Sequence, residues 1–316
     1  MPSPVQTPSA KASGARVTAV IVTYQSESTV ATGMAYMRRC FDEKVMDCVV
    51  VDNASKDRTP ELLQAYQDWA EVVLSGNNNG FGRGCNIGLD KVRTEYTLFL
   101  NPDAVLEPDD VRKMLAFMDA HPEVGVCGPA TLVGPSREES AYQIAGRRET
   151  PTDLVRAALS MADIEALYKP IVPGTAAFKT GWVCGAVMLV RTEHIKALGG
   201  FDPRFFLYWE EVDLCKRIED SGLGVWALPE AVAWHIGGVS SSQDASRIEG
   251  CISEHFYQSR RYYMVKHHGW VAATVAEVCE FGVLALRTLT DMVRGRGTDR
   301  MKPRMQAKLL SSPETN

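Results

Sequence analysis

Short, largely apolar runs alternate with helical patterns over residues 17–127, and few folds accommodate that order. Val17–Thr23 and Val45–Val51 read as buried strands, Val72–Leu74 as a short one, Tyr96–Leu100 as a fourth and Val124–Cys127 as a fifth. Helices are expected between them at about Ser26–Cys40, Thr59–Trp69, Gly82–Lys91 and Pro108–Ala120. Thr59-Pro60 supplies an N-cap and a proline at the first helical position. Strands apolar on both faces, each followed by a helix, belong to a mostly parallel sheet covered on both sides, an α/β fold. Such sheets bind ligands at the carboxyl ends of their strands. Four polar loops then share one rim: Tyr24–Glu27, Asp52–Ser55, Asn77–Phe81 and Asn101–Ala104.

Residues 130–180 are irregular and rich in Pro, Gly and Arg, as expected of an insertion that shapes a binding site. A strand at Val183–Arg191, a helix at Glu210–Ser221, short strands at Val225–Leu228 and Ala231–Trp234, and helices at about 249–267 and 271–293 follow. The expected division is a loose leader (1–16), one large domain (17–248), C-terminal helices (249–294) and a flexible basic tail (295–316). A hydrophobic share of 45% supports a real core, and a net charge of −5 gives no global field for nucleic acid. The leader lacks the apolar stretch of a signal peptide, and no apolar run reaches the ~18 residues that argue a membrane span. The eight cysteines are scattered without a CxxC pair, which reads as reduced thiols in a cytoplasmic protein.

Five constellations carry chemistry. Asn101-Pro102-Asp103 follows an apolar strand; its acid suits a hard cation such as Mg2+, and its composition equally suits a turn. Asp52, in Val51-Asp52-Asn53-Ala54-Ser55, can accept from a pyrimidine N–H or cap a turn. The glycines of Asn77–Asn86 allow close backbone approach to a ligand at a helix N-terminus, with Arg83 in reach of a diphosphate. A dinucleotide fingerprint is the competing reading, but the spacing is not G-x-G-x-x-G and the loop does not follow the first strand. Glu210, Glu211 and Asp213 open a helix, which is ordinary first-turn chemistry. Their aromatic neighbours Tyr208 and Trp209 would also raise a carboxylate pKa and make a usable general base. His235 ends a strand before Gly237-Gly238, as a metal ligand or an ordinary satisfied histidine.

Taken in order, these segments resemble the family-2 glycosyltransferases of GT-A fold, and most nearly their bacterial rhamnosyltransferase-like members, over about residues 17–268. The resemblance rests on Val20–Tyr24, Val51–Ser55, Asn79-Gly80-Phe81 with Asn86, Leu100–Asp103, Cys184-Gly185-Ala186, Gly199–Asp202, Phe206–Leu214 and Trp234-His235. It implies a mostly parallel central sheet flanked by helices, a C-terminal helical extension, and an inverting metal-dependent enzyme using Mg2+ or Mn2+. It implies that Thr23, Tyr24, Glu27, Asp52, Asn53 and Ser55 line the nucleotide pocket. Asn79, Gly80, Phe81, Arg83, Asn86 and Asn101 would border the donor, and Asp103 and His235 would hold the metal. Glu211 would be the base, ordered by Glu210 and Asp213, with Trp182, Gly185, Tyr208 and Trp209 facing the acceptor. Two departures stand out: Asn101 replaces the first acid of a D-x-D motif, and Glu211 stands where relatives more often carry Asp.

The implied donor is a nucleoside-diphosphate sugar, dTDP-rhamnose first, and the implied acceptor a saccharide or lipid-linked saccharide of cell-surface polysaccharide synthesis. Helix 271–293 is amphipathic with a wide apolar face, and residues 294–316 hold six Lys/Arg against two Asp/Glu. That pair can hold an anionic membrane surface on the cytoplasmic side, pack on the catalytic domain, or form a homodimer. Two other classes compete. An oxidoreductase would need a glycine fingerprint where Tyr24-Gln25-Ser26-Glu27 stands, and a non-catalytic sugar-nucleotide binder of the same fold would tolerate loss of acids that are present here.

Overall fold

The computed structural model describes residues 14–134, 141–159, 168–236 and 245–295. The leader, the basic tail and Gly237-Gly238 therefore lie almost wholly outside the described residues.

The apolar runs form the middle of one large sheet. Strands β1 (Val17–Thr23), β2 (Met46–Asp52), β3 (Ala70–Leu74) and β4 (Tyr96–Leu100) are mutually parallel in the order β4-β1-β2-β3. Helices α1 (Val30–Asp42), α2 (Thr59–Leu63) and α3 (Phe81–Leu89) connect them. Side-chain alternation on β1 explains the layers. Val17, Ala19 and Ile21 join the core under α1 and α4 (Pro108–Ala120), while Val20 and Val22 face α3 and α7 (Glu210–Asp220). Pro108 at the first position and Asp109 and Asp110 in the first turn explain the sharp start of α4.

Beyond β4 the sheet is mixed. After the short β5 (Ala104–Leu106), β6 (Val124–Val133) lies two places from β4, and β11 (Val187–Arg191) fills the gap antiparallel to both. The strand β12 (Gly224–His235) runs parallel to β6 and antiparallel to β5. The sequence splits β12 in two; the structure joins the halves through a register shift between Leu228 and Val232, where Pro229 offers no N–H to the ladder. The helix expected from Ser26 starts at Val30, because the Ser26 carbonyl accepts from the Thr29 and Val30 N–H groups in a preceding turn. Thr59 lies inside α2 rather than capping it: its N–H donates to Asp57 Oδ1 (3.0 Å), and its hydroxyl accepts from the Ser26 N–H (2.9 Å). That helix ends at Leu63, passing into a 3-10 turn at Gln64–Tyr66.

The insertion is more ordered than its composition suggests. It holds β7 (Ala141–Tyr142), β8 (Ile144–Gly146), α5 (Pro151–Ala158), β9 (Tyr168–Pro170) and β10 (Phe178–Lys179). A reciprocal cap starts α5: the Asp153 N–H donates to Thr150 Oγ1 (3.3 Å), and the Thr150 N–H donates to Asp153 Oδ2 (2.9 Å). After β11 comes α6 (Thr192–Ala197). At the C-terminus α8 (Ala245–His268) and α9 (Trp270–Val293) form a hairpin broken at Gly269. The hairpin packs on the domain through an aromatic cluster of Phe205, Trp209 and Tyr263, joined by Ala273 and Ala276. Buried Arg261–Glu277 (2.7 Å) and Arg260–Glu280 pairs lock α8 to α9. Of the eight cysteines the seven described are free thiols, five of them buried. Among the described residues no helix is long and apolar enough to cross a membrane.

Candidate active site

The carboxyl ends of β1, β2 and β4 deliver Thr23, Asp52 and Asn101 to one rim, as the strand order requires. Asp52 is buried and fully engaged. It accepts from Thr23 Oγ1 (3.1 Å), Ser55 Oγ (2.6 Å) and the Ser55 N–H (3.0 Å), so it shapes the β2 turn in which Ala54 takes a positive φ of 61°. Asn53 is buried beside it. Its amide donates to Asn78 Oδ1 and the Gly80 carbonyl and accepts from the Asn79 N–H, welding the Asn77–Phe81 loop to β2. Tyr24 and Glu27 stand open on the rim. The Glu27 carboxylate accepts from the Arg58 N–H at 3.3 Å.

Residues expected to border the donor divide into two groups. Arg83 turns away: its Nε donates to the Pro203 carbonyl (2.7 Å). The Asn86 side chain is pinned to Phe201, donating to its carbonyl (2.8 Å) and accepting from its N–H (2.8 Å). Both residues therefore brace the 200–203 segment. Asn79 and Gly80 keep the loop at the rim. Gly80 has φ +81°, and a Cβ there would stand 2.2 Å from the Phe206 carbonyl oxygen, so only glycine fits. The Phe81 N–H donates to that same carbonyl at 2.9 Å.

Asp103 and His235 do meet. The pairing of His235 with Ala104 across β12 and β5 brings His235 Nε2 to 2.9 Å from Asp103 Oδ1, with Asn101 Nδ2 3.5 Å from the same nitrogen. A carboxylate and an imidazole this close are both ligand types for a divalent cation. Among the described residues no three His, Cys, Asp or Glu side chains converge as a metal cage. The pair fits a hard cation as two of its ligands, the remaining ones coming from outside these side chains.

A second corner forms at the start of α7. Tyr208 and Trp209 both have positive φ, at 67° and 69°. Two successive bulky residues in this region are strained, and such strain persists only where packing over-determines it. Packing does so here: Trp209 lies 5.0 Å from Tyr263 of α8, and Ser259 Oγ donates to the Leu207 carbonyl at 2.9 Å. The strained turn aims Glu211 into a cavity of about 230 Å³ walled by Trp182, Tyr208 and Trp209. Ile144, Glu149, Tyr168 and Phe256 complete it. These four were missed in the sequence; the Thr150–Asp153 capping pattern marks a helix there, but nothing local says which way it docks.

The three acids of α7 differ in environment. Burial pushes the Glu211 carboxyl above its ordinary 4.5, partly offset by hydrogen bonds from the N–H groups of Glu211, Val212 and Gly185. Its Oε2 is buried without a partner. Burial, then the Glu211 charge, pushes Glu210 well above 4.5; it lies beneath the cavity, packed towards Gly82 of α3. Asp213 does not reach the cavity. It is fully buried and holds Lys266 Nζ (2.6 Å), His267 Nε2 (2.7 Å) and Arg217 Nε (2.8 Å). Burial alone would raise its carboxyl; the His267 hydrogen bond and the Arg217 and Lys266 charges outweigh that and hold it below 3.8. Asp213 thus fastens α7 to α8 and positions its neighbours.

The two corners are joined by the segment before β11. The Asn101 N–H donates to the Ala186 carbonyl at 2.9 Å, and a Cβ on adjacent Gly185 would stand 3.4 Å from the Glu211 Cβ. Asn101, two residues before Asp103, and Glu211 therefore meet neighbouring residues of one segment.

Comparison with known proteins agrees with this geometry. Residues 18–191 match the family model described as Glycosyl transferase family 2. N-acetylglucosaminyl-diphospho-decaprenol L-rhamnosyltransferase of Mycobacterium tuberculosis is 25% identical over 268 residues, covering 78% of this chain and 83% of that protein. Rhamnosyltransferase WbbL of Escherichia coli is 25% identical over 204 residues, 61% of this chain and 74% of WbbL. Among solved structures, the mannosyltransferase PcManGT of Pyrobaculum calidifontis, crystallised with GDP-Man and Mn2+, superposes with a TM-score of 0.53 at 17% identity, covering 92% of this chain and 84% of that one. GalNAc-T7, crystallised with UDP, GalNAc and Mn2+, superposes at 0.54 with 15% identity over 70% of this chain; the match spans 44% of the GalNAc-T7 chain. The likeness in structure shows the GT-A type of fold, and the extent of the family match settles membership: the chain belongs to glycosyl transferase family 2.

Proposed function

We propose that this glycosyltransferase moves a sugar, L-rhamnose from dTDP-rhamnose in the first instance, to a hydroxyl of a saccharide or lipid-linked saccharide in cell-surface polysaccharide synthesis. The observation that carries the reading is Glu211: an acid that lines an aromatic cavity and whose carboxyl is pushed above its ordinary value by burial. The reaction is a single inverting displacement. The acceptor oxygen forms its bond to the anomeric carbon as the bond to the nucleoside diphosphate breaks, and Glu211 takes the acceptor proton. Its raised pKa suits a base that must hold that proton. Trp182, Tyr208 and Trp209 stack on the sugar and exclude water. Asp103 and His235 would hold Mg2+ or Mn2+, which when bound neutralises charge on the leaving diphosphate. The relatives named as rhamnosyltransferases support the sugar, and the decaprenol acceptor in one of those names supports the lipid.

The apolar residues of α9 left exposed, Val271, Val275, Val278, Leu286, Leu289 and Val293, recur at helical spacing along one face. With the basic chain that follows, this face suits an anionic membrane surface on the cytoplasmic side. Flotation with anionic vesicles tests it: loss of binding after truncation at Arg294 supports the reading, whereas a concentration-dependent dimer without flotation replaces it.

A thermal-shift panel of nucleoside-diphosphate sugars, with and without Mg2+ or Mn2+, tests the enzyme reading. A donor at ~100 times its Kd adds about 2.7 kcal/mol. Metal-dependent stabilisation by one donor, with slow donor hydrolysis, is expected. Binding without any hydrolysis or transfer would instead make the chain a sugar-nucleotide binder.

A further inference from the structure

A second cavity, of about 620 Å³, lies along α7 beyond Glu211 and plays no part in the chemistry above. Five cations line it (Arg147, Arg148, Lys169, Lys179 and Lys216) against two carboxylates, Glu149 and Glu219. Three of the cations are already held: Arg147 by Asp153 (2.8 Å), Arg148 by Glu219, and Lys216 by Asp220 (2.8 Å). The most loosely held charge rests on two exposed lysines: Lys179 Nζ pairs with Glu219 at 3.8 Å, and Lys169 Nζ stands 4.1 Å from the Phe178 ring centre.

One further observation places this cavity beside the chemistry: it shares a wall with the catalytic one. Glu149 lines both, and Tyr263, a residue of this wall, packs at 5.0 Å on Trp209, which lines the other.

We infer that the basic cavity takes the phosphate or diphosphate ester of the acceptor, gripped by Lys169 and Lys179. The inference rests on the glycosyltransferase reading for which end of the acceptor reacts. It does not need that reading for the anion site itself. The cavity then selects acceptors whose sugar carries an oxyanion group over neutral glycosides.

Calorimetry on the full chain in EDTA, titrated with inorganic pyrophosphate, is the first test. One site is expected, weakened at least about 10-fold in Lys169→Glu/Lys179→Glu, the effect of one lost charge-assisted hydrogen bond. Asp103→Ala should leave it unchanged. Absence of binding, equal binding in the lysine variant, or loss of binding in Asp103→Ala would overturn the site. The second test compares transfer to one sugar presented as a diphosphate ester and as a neutral alkyl glycoside. The lysine variant should raise KM for the ester alone. An equal rise for both acceptors, or no rise for the ester, overturns the assignment to the acceptor. Failure of the glycosyltransferase reading registers separately, as wild-type protein that hydrolyses no donor, and the calorimetric arm does not depend on it.

Discussion

Gly80→Ala tests whether the donor rim and the base are mechanically one unit. Gly80 has φ +81°, and an added Cβ would stand 2.2, 2.8 and 2.9 Å from the O, C and Cα atoms of Phe206, all of them backbone. The conformation of Gly80, φ 81° with ψ 174°, is essentially reserved for glycine and costs another residue about 1–3 kcal/mol. Overpacking adds about 1–3 kcal/mol. The sum, about 2–6 kcal/mol, is relieved only by moving residue 206, which stretches the bond from the Phe81 N–H and shifts the strained turn that precedes Glu211. A displacement near 1 Å at a reacting group costs about 100-fold in rate. Gly76→Ala is the control, because Gly76 has φ +79° with nothing within 4 Å of the added carbon. Urea unfolding and acceptor turnover, measured on both variants, separate conformational cost from collision. The account expects Gly76→Ala to lose about 1–2 kcal/mol with activity intact. It expects Gly80→Ala to lose more stability and most of its turnover. Equal losses in the two variants, with activity intact in both, would refute the coupling.

Three other perturbations follow from the same geometry. Glu210→Gln should match wild type in stability below pH 4.5 and exceed it increasingly at higher pH, because the raised carboxyl loses its contribution as pH climbs through its folded-state value; thermal melts across pH check this. Asp213→Asn should cost about 3 kcal/mol at neutral pH by leaving Arg217 without a carboxylate and Lys266 with Asp202 alone, or about 5–10 °C in Tm. Its deficit should shrink in acid, since the wild-type carboxyl, held below 3.8, contributes above that value and loses its contribution as pH falls through the lower one. Asp103→Ala should weaken donor binding in the presence of Mn2+ and leave metal-free binding nearly unchanged, as calorimetry in both buffers will report.

Much of the fold is legible because buried strands are spelled in continuous apolar residues. Val17–Thr23 and Tyr96–Leu100 were placed to the residue, and the rim loops follow from strand direction alone. What stayed hidden depends on long-range pairing. The antiparallel β11 reads like its parallel neighbours, since both faces are buried either way. Glu210, Glu211 and Asp213 look alike as first-turn acids. Only the docking of α8, which brings Lys266 and His267 to Asp213, separates the positioning acid from the one in the cavity. Asn53, Arg83 and Asn86 look equally fit for ligands, yet the structure commits all three to backbone partners. Polar side chains beside Gly-rich loops serve both purposes, and sequence alone does not say which.

The central claim is that Glu211, not Glu210, takes the acceptor proton. Initial rates and donor affinity for Glu211→Gln and Glu210→Gln, side by side, test it most directly. Glu211→Gln should lose about 10²–10⁴-fold in kcat, the usual worth of a general base, with donor Kd unchanged. Glu210→Gln should keep most of its turnover. Full activity in Glu211→Gln, or the larger loss in Glu210→Gln, would contradict the account.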